Sequence, residues 1–208
     1  LDNRNFAAAL QLLVEAAERI PGGRAPGPSD QILTYLPLCH IAERAFSTWH
    51  LVGAGCVLNF AESIDTVTAN LREVQPTLFF AVPRIWEKLH AGVLIKGKDA
   101  SLFKRTVLRW GLAAAGRIGR AKVANGGNHT FASRLAHALA WPVVLRPLQE
   151  RIGLRRCRYA ASGAAPIAAD VLEFFMGIGV PVFELYGMTE NTALATGNRP
   201  GRIKLGTV

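Results

Sequence analysis

Cysteine is scarce: Cys39, Cys56 and Cys157 lie far apart in a chain of 208 residues. No C-x-x-C pair occurs, and an odd number of scattered thiols fits small apolar side chains in a reducing compartment rather than a disulfide framework. Long apolar runs are also missing. The longest uncharged apolar run, residues 51–61 with Asn59 inside it, is too short to span a bilayer. Asp2 and Arg4 open the chain, with no signal-peptide apolar region behind them. These absences read as a cytoplasmic protein. Leu1 in place of Met, and the uncapped end at Gly206-Thr207-Val208, lead us to expect both termini to be cuts through a longer fold.

Acidic residues are nearly absent from one segment. Residues 96–158 carry 14 Lys and Arg against Asp99 and Glu150 alone, so +12 of charge sits there and −3 over the rest, for a net +9. Such a block suits nucleic acid, a membrane surface or a polyphosphate ligand, or it is a solvated helix face. Several chemical signatures are lacking too. There is no G-x-x-x-x-G-K-[ST] phosphate loop. Gly177-Ile-Gly179 follows a helix-type stretch and has Val182 where a dinucleotide fingerprint needs its third glycine. Ser162 stands in A-S-G-A, not in a nucleophile elbow. The five histidines show no metal-ligand spacing.

Half of the residues are apolar, enough for a real core. Residues 5–20 have helical periodicity, ended by Pro21-Gly22-Gly23. Strand-length runs at 31–36, 56–60, 77–82, 157–161 and 181–185 alternate with helical stretches at 41–51, 63–74 and 168–176, and Pro83 sits at a helix start. Ser63 or Asp65 is expected to cap the second of these helices. This alternation predicts an α/β fold with a mostly parallel sheet flanked by helices. Between about 96 and 156 the strands give way to long helical stretches broken near Asn125-Gly126-Gly127-Asn128, which predicts a basic helical insertion in one domain.

The chemistry concentrates between Tyr159 and Glu190. Tyr159-Ala-Ala-Ser-Gly-Ala-Ala-Pro166 leads from a strand through a small-residue turn, and Pro181-Val-Phe-Glu-Leu-Tyr-Gly-Met-Thr-Glu190 leads from the next strand into a second loop. In an open parallel sheet, ligands sit at such strand C-termini. Gly163, Ala164 and Ala165 leave backbone bare for a flat base, and Tyr186 offers an aromatic face. Thr189 offers a hydroxyl to a phosphate, and Glu190 a hard oxygen to Mg²⁺ held through substrate phosphates. These parts suit a nucleotide–metal site.

Y-G-M-T-E at 186–190 resembles a core motif of the adenylate-forming ligases. With S-G-A-A-P at 162–166, L-P-L-C-H-I-A-E-R at 36–44 and A-V-P-R-I-W-E-K at 81–88, in this order, the chain resembles the long-chain fatty acyl-CoA synthetase branch, and G-R-I-K-L-G-T-V at 201–208 resembles the segment after the core motif. The resemblance implies a partial large N-terminal, AMP-binding domain over 1–208. It implies activation of a long-chain fatty acid with ATP and Mg²⁺, then transfer to coenzyme A. Gly163, Ala164, Ala165, Glu184, Tyr186 and Gly187 would hold ATP or AMP. Thr189 would contact phosphate and act with Glu190 in catalysis, Glu190 would bind Mg²⁺, and His40 would stand at the acyl pocket or its gate. Parts of the family's pattern are absent from these residues: the Ser/Thr/Gly-rich phosphate loop, the later ribose-binding Asp, and the C-terminal domain with its catalytic lysine. Asn191 replaces a small or hydroxyl residue. Plainer roles exist for some residues: His40 as a helix cap, Arg84 as a surface charge at a helix start, and Glu43 with Arg44 as a local ion pair. The alternative for the whole chain is an inactive or split-gene fragment that binds nucleotide or a complementing polypeptide. Nucleic acid is not expected as a partner, since no recognition module is present; the basic helices are expected to meet anionic membrane peripherally, at its inner face.

Overall fold

The computed structural model describes residues 3–18, 24–98, 101–199 and 201–208. Five strands, β1 Gln31–Thr34, β2 Val57–Phe60, β3 Leu78–Ala81, β4 Tyr159–Ser162 and β5 Val182–Tyr186, form a parallel sheet in the order β2-β1-β3-β4-β5. A short β6, Thr196–Gly197, adds antiparallel to β5. The fold is thus the α/β architecture with a mostly parallel sheet expected from the alternation. The order reverses at β1: the chain steps outward to β2 and then runs the other way through β3, β4 and β5. Beyond the carboxyl ends of such strands lies the usual ligand crevice.

Strand side chains alternate between two layers. Leu33, Phe79, Ala160 and Val182 face the larger core, with α4 Val67–Val74, α5 Pro83–Lys98, α8 Arg146–Ile152 and α9 Ala169–Gly177 above them. Trp86 is fully buried there, edge-on to Phe79 and Phe175 at 5.4 and 4.9 Å, and its indole N–H donates to the Ala81 carbonyl at 3.2 Å. A buried aromatic of this size contributes most of its transfer free energy, and Trp86→Ala is expected to cost about 3–5 kcal/mol. The other face carries Ile32, Leu78 and Phe80, and Phe80 stacks on Phe46 at 4.3 Å. That layer is built by α1 Asn3–Glu18 and by a continuous helical stretch: α2 Ile41–Glu43, a π turn Arg44–Thr48 and α3 Trp49–Ala54.

The π turn has a local cause, since the Ser47 hydroxyl donates to the Glu43 carbonyl and competes with the helix ladder. A second π turn, Trp141–Leu145, contains Pro142, which has no N–H to give. It joins α7 Phe131–Ala140 to α8. The helices between β3 and β4, including α6 Leu102–Ala124, do not stand apart from the domain. A Cβ on Gly119 would lie 2.0 Å from the Glu173 carbonyl, and one on Gly177 would lie 1.9 Å from that of Ala115, so α6 and α9 cross backbone to backbone.

Several boundaries differ from the sequence reading. The Pro21-Gly22-Gly23 stop lies outside the described residues. Helix α4 starts at Val67, and Ser63 bonds Thr66 instead of capping it. Glu43 and Arg44 form no ion pair among the described residues: Glu43 is buried and accepts from the Leu36 N–H at 3.0 Å, while Arg44 points to solvent. Arg158, counted in the basic block, is tied to the buried Asp30. Lys122 is buried as well, and desolvation lowers its pKa.

Candidate functional site

The two loops singled out from the sequence meet in space. Strands β4 and β5 are neighbours with Ser162 opposite Glu184, so the turn after Ser162 and the loop after Tyr186 leave the same edge of the sheet side by side. Gly163 sits at the join, where a Cβ would come 3.1 Å from the Leu185 carbonyl and 3.2 Å from the Phe80 ring. Ala164 follows with φ +71°, a left-handed conformation that costs a non-glycine residue about 1–3 kcal/mol and gathers at ligand-binding positions. Ala164 and Ala165 are exposed, with bare backbone beside Tyr186, which is 50% exposed. Beneath the turn the Ser162 hydroxyl is buried without a hydrogen-bond partner among the described residues, an unspent polar group at the base of the crevice.

The second loop is the tip of the β5–β6 hairpin, which sequence reasoning missed because β6 is only two residues long. Gly187 is required there, since a Cβ would fall 1.5 Å from the Ala193 carbonyl. Thr189–Asn191 then form one 3-10 turn. The Asn191 side chain accepts from the Met188 N–H at 3.1 Å and locks the turn. Asn191 therefore has a structural task, which explains why an amide can stand where a small residue was expected. Thr192 and Ala193 are left-handed, and the Ala193 N–H returns to the Met188 carbonyl at 3.1 Å. Thr189 and Glu190 are thereby held at the tip, both exposed.

Glu190 also borders a cavity of about 190 Å³ closed by Asn5 and Ala8 of α1, by Phe46 of the π turn, and by Asn191 and Leu194. Phe46 belongs to no sequence motif, although its place in the helical stretch after L-P-L-C-H could have marked it as facing the sheet. Among the described residues no cluster of three or more metal-ligating side chains occurs. A single carboxylate fits Mg²⁺, which takes one or two carboxylates and completes its shell with substrate phosphates and water.

The remaining candidates lie around this centre. Glu184 is buried and accepts from the Gly206 N–H at 3.0 Å; burial raises its pKa, and the Gly206 bond partly offsets this. It fastens the 201–208 segment beside β5. His40 is exposed at the same end of the sheet and caps α2, its Nδ1 accepting from the Ala42 N–H at 3.1 Å. Between β1 and β3, at the reversal of strand order, the Tyr35 hydroxyl accepts from the Val82 N–H at 3.0 Å. Burial raises the Tyr35 pKa to about 12, so the phenol stays neutral.

The family model described as AMP-binding enzyme matches residues 1–208. A Mycobacterium tuberculosis protein provisionally named fatty-acid–CoA ligase fadD11 is 38% identical over 182 residues, covering 86% of this chain and 31% of that protein. The long-chain-fatty-acid–CoA ligase ACSBG2 of Gallus gallus is 34% identical, covering 93% of this chain and 24% of its own length. The chain therefore spans 31% and 24% of the lengths of these two relatives. Among solved structures, ATP-bound MatB from Rhodopseudomonas palustris superposes with a TM-score of 0.58 at 18% identity, over 99% of this chain and 29% of that one. The likeness to MatB is one of fold.

Proposed function

This chain belongs to the AMP-binding enzyme family over its whole length, and from that membership we propose that its two strand-end loops form the nucleotide and metal side of an ATP-dependent long-chain fatty acid–CoA ligase. The observation that carries the reading is the β4–β5 register, which sets the Gly163–Ala165 turn beside the Tyr186–Glu190 hairpin tip. Adenine would lie on the bare backbone of Gly163, Ala164 and Ala165 against Tyr186, with Gly187 and Glu184 shaping the floor. Thr189 would donate its hydroxyl to a phosphate oxygen. Glu190 would hold Mg²⁺, which would supply neutralisation of the phosphate charge. A fatty carboxylate oxygen would attack the α-phosphorus of ATP and displace pyrophosphate, giving the acyl-adenylate. The thiol of coenzyme A then attacks the acyl carbonyl, and AMP departs with that oxygen. His40 would border the acyl pocket.

The chain is proposed to be a partial AMP-binding domain with a helical insertion at about 96–156. A phosphate loop and a lysine-bearing domain would come from elsewhere in a longer protein or from a complementing polypeptide. The short coverage of the relatives favours a second reading for these 208 residues in isolation, nucleotide binding without turnover. The charge of the basic helices supports peripheral contact with anionic membrane at the cytoplasmic face. No described helix is long and apolar enough to cross a membrane. The test is ATP–pyrophosphate exchange by the longer enzyme: exchange that requires a long-chain carboxylate supports the ligase reading, and exchange driven only by short or aromatic acids refutes the substrate class.

A further inference from the structure

The helices on the outer face of the sheet enclose a cleft of about 680 Å³ between α4, α5, α6 and α8, within the ~300–1,000 Å³ range of small-molecule sites. Leu89, Val93, Val107, Leu108, Val144 and Leu148 build its floor and walls. The mouth carries four cations, Arg72, Lys88, Lys104 and Arg151, and among the described residues no carboxylate lines the cleft. Among the described residues none of the four is in an ion pair. Arg72 is braced across the mouth by donating its Nε–H to the Arg151 carbonyl at 2.8 Å. Phe103 and Val143 also line the cleft and are 78% and 58% exposed, so apolar surface continues outward from the floor. The Glu190 cavity, bounded by α1 and the Phe46 turn, lies on the opposite side of the sheet.

An apolar trough ringed by positive charge matches a ligand with one long apolar tail and one anionic head. Burying the tail supplies the hydrophobic term, and the rim supplies charge-assisted bonds to the head. We propose that this outer cleft binds a single long-chain carboxylate, at a site separate from the nucleotide loops. The choice of a carboxylate head rests on the ligase reading above, whereas the cleft and its charges do not.

The test is fluorescence titration of the 208-residue chain with cis-parinaric acid, without ATP or Mg²⁺. Saturable binding is expected. Val107→Phe fills the trough and should weaken binding by at least about tenfold, roughly the effect of denying two methylenes a buried place. A thermal melt checks that this variant folds. The surface pair Lys88→Glu and Lys104→Glu, which disturbs no packing, should weaken the acid several-fold and leave cis-parinaric methyl ester unchanged. Three results would overturn the proposal: unchanged affinity in folded Val107→Phe, equal sensitivity of acid and ester to the rim variants, or binding seen only to anionic vesicles and not to the monomeric acid. Loss of the ligase reading would appear separately, as absent pyrophosphate exchange in the longer enzyme, without altering these titrations.

Discussion

Arg158 grips Asp30 with two nitrogens across 128 residues of sequence, Nε at 3.0 Å from Oδ1 and Nη2 at 2.8 Å from Oδ2. Asp30 is fully buried just before β1, and Arg158 just before β4, so the pair ties together the amino ends of two strands whose carboxyl ends lead toward the site. Arg24 reaches Asp30 at 3.0 Å as well, and the Gly27 N–H donates to it at 3.0 Å. Asp30→Asn leaves Arg158 without its counter-charge. The expected loss in urea unfolding is about 3 kcal/mol, the low end for a broken buried pair, because the Arg158 side chain keeps 21% exposure. Burial opposes ionisation of Asp30, but the bonds from Arg158, Thr77 and Gly27 outweigh it and hold the carboxyl below its usual 3.8. That contribution is present above pH 3.8 and disappears as pH falls through the lowered value. The Asn variant should lack this acid-side slope.

The α6–α9 crossing predicts an inverted propensity effect. Replacing glycine by alanine inside a helix ordinarily gains about 1 kcal/mol. At Gly119 and Gly177 the new methyl would strike a carbonyl, at 2.0 and 1.9 Å, and that atom is backbone and cannot step aside cheaply. Each substitution should destabilise by about 1–3 kcal/mol in chemical denaturation. A stabilised Gly119→Ala would show that the two helices do not touch.

His129 predicts a second pH effect. Desolvation, then the nearby Lys122, His137 and Arg134, lower its pKa from 6.5 to about 4. The rings of His129 and His137 lie 5.3 Å apart, so both share the cationic surroundings. The unfolded chain takes up this proton near pH 6.5 while the fold resists it until about 4, so stability falls as pH drops through that window. The melting temperature should decline between those values, and His129→Gln should flatten part of the decline. A proton NMR titration that places His129 near 6.5 would contradict the burial.

Much of this was legible in the sequence, because the signals were local. The apolar run ending in Phe79, Phe80 and Ala81, with Pro83 behind it, specified β3 and α5. The spacing from Ser162 to Glu190 specified two strand-end loops. What escaped depended on distant partners. Arg158 reads as one charge in a basic block until Asp30 is seen beside it. Glu43 and Arg44 look like a pair until Glu43 is seen buried, accepting from the Leu36 N–H, with Arg44 exposed beside it. Strand β6 has two residues and no pattern of its own, so the hairpin that presents Thr189 and Glu190 could not be inferred. The outer cleft joins residues from Thr68 to Ile152 on four helices, and no short motif encodes it.

The carboxylate at the hairpin tip is proposed to serve the first half-reaction of acyl activation. The most direct measurement is ATP–pyrophosphate exchange with a long-chain fatty acid, in the longer enzyme carrying Glu190→Gln. Gln keeps the shape, removes the charge and leaves the Asn191–Met188 lock intact. The variant should fold and its exchange should fall by about 10²-fold or more, the scale of losing one electrostatic group at a reacting phosphate; Thr189→Ala should lose less. Unchanged exchange in a folded Glu190→Gln enzyme would contradict this role.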